Sequence, residues 1–405
     1  MAVSVLSNWA GEAPVAVFVA IGEGMRDRLE RLFNDARFVR AASPRHAAIF
    51  LIAGRMRLED REDLRRLHDQ MPHPRVTLLW NAEVGEALGD AEVFTGSTLE
   101  VDIEASEAGR SDDAVRDRLE KLWQELASGE RSSEPDLLHD EPPNSWEGIG
   151  PHGQGGQGMM GGTPYGRPMA MTSDDLRDGL ALDLYTARFG PFLPMFPPGL
   201  LLEMTLQGDV IQSVKVVRPP LSQAGGNDVP AALLRLARLL DVLGLPVLGQ
   251  RARLAAVGGA TSVPLEKLSR AIHWAGATLA IPRGLGAVEG YGDTRTRFAN
   301  LVSVANGFSP AMWPGLTRSA HLSSILPGLE WSEAMLVLNS FDDETLSTLA
   351  AIVEGADEDR DGHDHDSGHM HHDHGGPHDH DRHQGHGGRG SHLGNDYHGR
   401  HGGHA

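Results

Sequence analysis

The chain of 405 residues contains no cysteine. That excludes disulfides, thiol nucleophiles and all-thiolate iron–sulfur or zinc centres. Long apolar runs are missing too. The longest, Val15–Ile21 and Ala47–Ala53, are strand-sized and far short of the roughly 18 residues that suggest a transmembrane helix. Met1–Ala10 lacks a basic n-region, so no secretory signal is expected. Positive charge is short: 36 basic against 56 acidic residues leaves a formal −20. Glu354–Ala405 carries only −7 of it, so the acidity belongs to the whole chain. On this balance neither recognition of nucleic acid by a basic surface nor a polybasic membrane anchor is expected. The sequence has no G-x-S-x-G, the scattered histidines His46, His68, His73, His139, His273 and His321 form no H-x-x-x-H or H-E-x-x-H pattern, and no catalytic residue is assigned. Paired carboxylates such as Glu62–Asp63 and Asp342–Asp343–Glu344 read as solvated faces or helix N-terminal charges.

What is present is organised in four stretches. Residues 1–127 alternate buried-strand runs (Val15–Ile21, Ala47–Ala53, Val76–Trp80) with amphipathic segments (Gly24–Asp35, Leu58–Met71, Asp112–Ala127). Strand–helix alternation with short connections predicts a small α/β, flavodoxin-like domain with a mainly parallel sheet. Residues 128–171 are rich in Gly, Pro and Ser and read as a linker, docked along an interface rather than free. Residues 172–355 open on a hairpin, Leu200–Leu206 and Val210–Val217 around Gln207–Gly208–Asp209, and then turn helical over Val229–Leu243, Pro264–Leu279 and Ser332–Glu354. This half is expected to be α+β and mostly helical. Residues 356–405 are His, Asp and Gly of low complexity and are expected to be disordered.

Gly153–Gln154–Gly155–Gly156–Gln157–Gly158 matches G-x-G-x-x-G letter for letter. It follows Pro151–His152 and precedes Met159–Met160–Gly161–Gly162, so the strand before and helix after that a dinucleotide fingerprint needs are both missing. Close backbone packing is the better account of these glycines.

The segment Ser43–Pro44–Arg45–His46–Ala47, then Ala53–Gly54, then Leu64–Arg65–Arg66–Leu67–His68–Asp69–Gln70–Met71–Pro72–His73–Pro74–Arg75 resembles the small, cluster-bearing subunit of NADH:quinone oxidoreductase and its nickel–iron hydrogenase relatives. Pro44 is expected to start a strand, Pro72 to stop a helix and Pro74 to lead into the next strand. The family's cysteines are missing where Gly22–Glu23–Gly24 and Asn81–Ala82–Glu83–Val84 stand. The resemblance therefore implies the scaffold without the 4Fe–4S cluster. More faintly, Gly190–Pro191–Phe192–Leu193–Pro194, Gly199–Leu200–Leu201 and the hairpin resemble the large, quinone-pocket or nickel subunit of the same families. Leu193 and Pro197 or Pro198 replace the histidines that face the quinone there. Proton donation to a quinone is thereby in doubt, and the nickel-binding cysteine pairs are absent.

Fourteen of the 21 histidines lie in the last stretch. His363, His365, His369, His371, His372, His374, His378, His380, His383 and His386 are candidate ligands for nickel or zinc, since neutral imidazole suits these ions. A flexible chain without a rigid outer shell gives adaptable rather than catalytic sites. The alternative is a solvated tail whose histidines titrate near neutral pH.

Three functions follow as expectations. The first is a cofactor-depleted subunit, structural or coupling, of a complex-I-like or energy-converting-hydrogenase-like assembly. Its partners would be the other subunits of that redox or ion-translocating complex, at the cytoplasmic face of the inner membrane. The second is a metal-binding accessory protein that stores or delivers nickel or zinc on its tail. The third is an oxidoreductase subunit that still binds quinone in a modified pocket.

Overall fold

The computed structural model describes residues 13–81, 97–99, 108–138, 172–174, 181–223, 228–257, 264–309 and 320–351. The N-terminal half is a five-stranded, all-parallel sheet in the order β2-β1-β3-β4-β5, which is the flavodoxin-like strand order. Its strands are β1 (Val15–Ile21), β2 (Phe38–Arg40), β3 (Ile49–Ala53), β4 (Val76–Trp80) and β5 (Ser97–Leu99). The helices are α1 (Arg26–Leu32), α2 (Arg61–Asp69) and α3 (Ala108–Ser128).

Period-two alternation divides the sheet into two apolar faces. Val15, Val17, Val19 and Ile21, with Ile49, Leu51, Val76, Leu78 and Trp80, face α1 and α3 through Leu29, Leu32, Val115, Leu119 and Leu122. Phe18, Ala20, Phe50, Ile52 and Leu79 face the other way, onto Leu64 and Met71 around α2 and onto Phe192 and Leu221 of the C-terminal half. Both faces are covered, which is why the central strands read as unbroken apolar runs. Burying Phe192 and Leu221 there contributes about 1.5–3 kcal/mol each to holding the halves together.

The C-terminal half carries an antiparallel sheet of β8 (Tyr185–Phe189), β9 (Leu201–Gln207) and β10 (Val210–Arg218) in the order β10-β9-β8. A separate two-stranded ribbon pairs β6 (Thr172–Asp174) with β7 (Ala181–Asp183). The helices follow: α4 (Val229–Val242), α5 (Pro246–Val257), α6 (Leu265–Trp274), α7 (Ala277–Ala280), α8 (Thr294–Val304), α9 (Leu322–Ile325), α10 (Trp331–Ser340) and α11 (Asp343–Leu349). Helix α4 starts at Asp228, whose carboxylate accepts the Ala231 N–H at 2.9 Å, an N-cap. It then runs through the middle of the core, with Ala232, Leu233, Leu236, Leu239 and Leu240 buried. Met1–Val353 forms a single compact unit.

The structure corrects several expectations. Pro44 does not start a strand. Pro44–His46 is a 3-10 turn whose first turn is capped by the Ser43 hydroxyl, and β3 begins at Ile49. The helical run expected over Pro264–Leu279 breaks at Gly276, and the one over Ser332–Glu354 breaks at Phe341–Asp342. Gly276 takes a left-handed conformation (φ 68°), and Asp342 caps a new helix by accepting the Thr345 N–H.

The first residues of the expected linker also belong to the N-terminal half. Glu134 accepts the Thr77 N–H (2.8 Å) and hydroxyl (2.7 Å), and its carboxylate meets the His68 ring at 3.1 Å. Asp69 accepts the Leu137 and Leu138 N–H groups at 3.0 and 2.8 Å. Thr77 is a fully buried polar residue in a central strand, and Glu134 is the partner that such a residue needs. The Gly150–Met171 segment and the His-rich tail lie outside the described residues. Among the described residues no helix is long and apolar enough to cross a membrane.

Candidate functional site

In open parallel sheets of this order, ligands bind outside the carboxyl ends of the strands, at the switch point between β1 and β3. Here that edge is occupied by protein. Gly22 follows β1 and Gly54 follows β3, and the two turns lie against each other: Gly22 N–H donates to Ala53 O at 2.6 Å, and Glu23 N–H donates to Arg55 O at 3.0 Å. A Cβ on Gly22 would stand 2.6 Å from the Gly54 carbonyl carbon, and one on Gly54 (φ 83°) would stand 2.5 Å from Met25. The C-terminal half seals the turn from above. Gln223 donates to Gly22 O at 3.1 Å and accepts the Arg26 N–H at 3.2 Å, and Gly24 N–H donates to Ser222 O at 3.0 Å.

Two ionic clusters fasten the seam. On one side Arg218, at the end of β10, donates to Asp60 at 2.5 Å, to Glu59 O at 2.8 Å and to Asp63. Arg57 reaches Pro219 O at 2.6 Å and Gly199 O at 3.3 Å. Gly199 is left-handed (φ 77°), and a Cβ there would collide with Leu221 and the Arg57 guanidinium.

On the other side, α1 and β2 face α4, α5 and the α10–α11 corner. Arg26 pairs with Asp343 at 2.6 Å. Arg253 pairs with Glu30 at 2.7 Å and with Asp241. Arg40 approaches Glu30 at 3.9 Å, and Arg235 approaches Asp342 at 3.8 Å. Gln250 donates to Asn34 at 3.1 Å. These side chains surround a cavity of about 370 Å³ and two smaller clefts beside it.

Arg238 lines all three. Burial, reinforced by the nearby Arg26 charge, pulls its guanidinium down to about 9. Burial likewise lowers Arg40 and Arg235, and it raises the Asp27 carboxyl. Arg253 moves the other way: burial disfavours its charge, but hydrogen bonding to Asp241 and the Glu30 charge outweigh that.

The arrangement is a charge-paired seam around a cavity, with no nucleophile–base pair. The body histidines are scattered. His68 is buried between Asp69 and Glu134, the exposed His73 meets the Ser133 hydroxyl at 2.6 Å, and His321 precedes α9. Among the described residues no three His, Asp or Glu side chains are grouped to hold a metal ion. His363, His365, His369, His371, His372, His374, His378, His380, His383 and His386 lie outside the described residues, as does Gly153–Gly158. Leu193 is 40% exposed, while its neighbours Pro194 and Met195 line the large cavity.

The seam residues Arg26, Glu30, Arg40, Arg238, Asp241 and Arg253 were not singled out from the sequence. A signal was available in α4: Arg235, Arg238 and Asp241 stand in a helix that is otherwise apolar all round. Charges in so apolar a helix are expected to face partners from another element. Comparison with models of known protein families and with curated proteins gives no match for this chain.

Proposed function

We propose that this chain is a cofactor-free subunit of a complex-I-like or energy-converting-hydrogenase-like assembly. In this reading small-subunit-like and large-subunit-like halves are fused into one docking body at the cytoplasmic face of the inner membrane. The observation that carries the reading is the sealed carboxyl edge of the parallel sheet. The positions where the resembling family places cluster cysteines are Gly22–Gly24 and the turn after β4. At the first of these, backbone meets backbone at 2.6 Å. No thiolate stands in the chain, so the residues present do not fit a 4Fe–4S cluster. A scaffold held rigid by ion pairs across its seam, with its usual ligand edge filled, suits a structural or coupling part better than a redox one.

Gentle solubilisation of native membranes and affinity purification of the full chain tests this. Co-purification with membrane ion-translocating subunits is the expected result, and a free monomer with no membrane association overturns it. Metal storage or delivery by the tail is favoured separately by the ten histidines within residues 363–386, and the metal titration in the Discussion addresses it. The quinone reading draws no support from the large cavity, whose lining residues include no histidine or tyrosine to donate a proton.

A further inference from the structure

The cavity at the seam has the composition of a ligand site. Its polar lining is Glu30, Arg40, Arg238, Asp241 and Arg253 with Gln250 and Asn339. Its apolar lining is Phe33, Phe38, Val39, Pro194 and Met195 with two alanines. At about 370 Å³ it lies at the small end of the range for ligand cavities, roughly 300–1,000 Å³. Exposed Val39 and Ala42 mark its mouth. Arg238 also lines the two neighbouring clefts.

The charges do not cancel. Arg253 takes up both Glu30 and Asp241, and Arg40 has only a long approach to Glu30. Arg238 forms no hydrogen bond or ion pair among the described residues. Arg238 is only partly buried, so its donors are open to the cavity, and the planar fork of a guanidinium matches a carboxylate. The surplus is a single positive charge, and two carboxylates in the same wall repel a second negative charge on any guest. The rest of the wall is aromatic and aliphatic. We propose that this cavity binds a small amphiphilic monocarboxylate, its head on Arg238 with Arg40 beside it and its apolar body against Phe33, Phe38 and Met195. The guest then touches both halves and acts as a clip across the seam. This does not depend on membership of a respiratory assembly.

The test uses the full chain, with octanoate, octylammonium and inorganic phosphate as probes in calorimetric titrations. Octanoate should bind saturably at one per chain. Arg238→Met keeps the stem and removes the charge, and it should weaken octanoate by at least about tenfold, the loss of one charge-assisted hydrogen bond. Ala42→Trp, at the exposed mouth, should weaken it as well with the fold intact. Arg238→Met should leave the midpoint of unfolding of the unliganded chain no lower than the parent's, because no hydrogen bond or ion pair among the described residues is lost with it. A guanidinium with only a structural role would lower that midpoint. The proposal is overturned by absence of saturable octanoate binding, by octanoate binding that Arg238→Met leaves unchanged, by octylammonium binding as well as octanoate, or by phosphate binding as tightly as octanoate.

Discussion

Replacing Arg218 by Met should loosen the whole molecule and not only one end of β10. Asp60 is completely buried, and Arg218 supplies its closest cation, at 2.5 Å. The same guanidinium holds Asp63 and Glu59 O, so one substitution removes three contacts between the halves. Stranding a buried carboxylate in this way costs about 3–5 kcal/mol. The lower end applies here, about 3 kcal/mol, because the Arg57 N–H still donates to Asp60 at 3.3 Å.

The pH dependence carries a sign that generic destabilisation lacks. Burial already raises the Asp60 carboxyl, against the opposing pull of Arg57 and Arg218. Without Arg218 it rises further. A carboxyl raised in the folded state favours folding when protonated, and that contribution fades as pH climbs through its folded value. The deficit of Arg218→Met against the parent is therefore largest at neutral pH. It should shrink as pH falls toward the unfolded carboxylate value of roughly 3.9. Adding Asp60→Asn to Arg218→Met should recover part of the loss at pH 7. Urea unfolding followed by hydrogen exchange, resolved over β1–β4 and over α4–α10, measures all of this. The reasoning fails if Arg218→Met costs under about 0.5 kcal/mol, the level of an ordinary surface change, if Asp60→Asn worsens the variant, or if exchange quickens in β10 alone.

Three further outcomes are expected. Gly54→Ala should destabilise by about 1–3 kcal/mol, because φ is 83° and Met25 and Glu23 O already occupy the Cβ position; a thermal midpoint equal to the parent's would refute the closed switch point. Asp69 and Glu134 are buried enough to raise their carboxyls, yet hydrogen bonds from backbone N–H groups, His68 and Thr77 leave both below the ordinary range, so their contribution is present at neutral pH and lost as pH falls through those low values. Exchange protection at Thr77, Leu137 and Leu138 should disappear in that acid window before the β1–β3 amides open, and simultaneous loss would contradict it. The tail should bind more than one nickel or zinc ion per chain, weakly and reversibly, with binding fading as pH drops through about 6.5; a chain ending at Gly355 that titrates like the full protein would show that the sites are in the body.

The parallel sheet was readable because burial on both faces writes itself as uninterrupted apolar runs. All five residues of β3 and all five of β4 are buried. Strand β2 was not readable: Phe38–Arg40 is three residues long with only Phe38 buried, too short for any period to emerge. The role of Asp69 was hidden for a different reason. Its neighbours Gln70–Met71–Pro72 mark a helix end, but its partners Leu137 and Leu138 lie 68 and 69 residues away, and no local pattern encodes that reach. The seam was hidden likewise. Arg26 and Asp343 are 317 residues apart, and each reads alone as a helix-terminal charge.

The location of the cavity follows from how the two halves meet. A flavodoxin-like sheet leaves an opening where its strand order reverses, because neighbouring connections leave in opposite directions. The glycine turns after β1 and β3 close the centre of that opening, and Ser222–Gln223 covers it. Closure does not extend to the end of β2, where Arg40 approaches Glu30 of α1 at 3.9 Å and lines the same cavity as Arg238 of α4. Two rigid surfaces that fit at Gly22–Gln223 and again at Asp60–Arg218 need not fit between and beyond those points. The misfit is taken up at the edge near β2, where long charged side chains replace packed aliphatic ones. Ion pairs bridge most of the gap, and Arg238 is the cation left over. Arg238 is left in the wall of a cavity that is part charged and part apolar, and a carboxylate guest supplies the partner that the described residues do not.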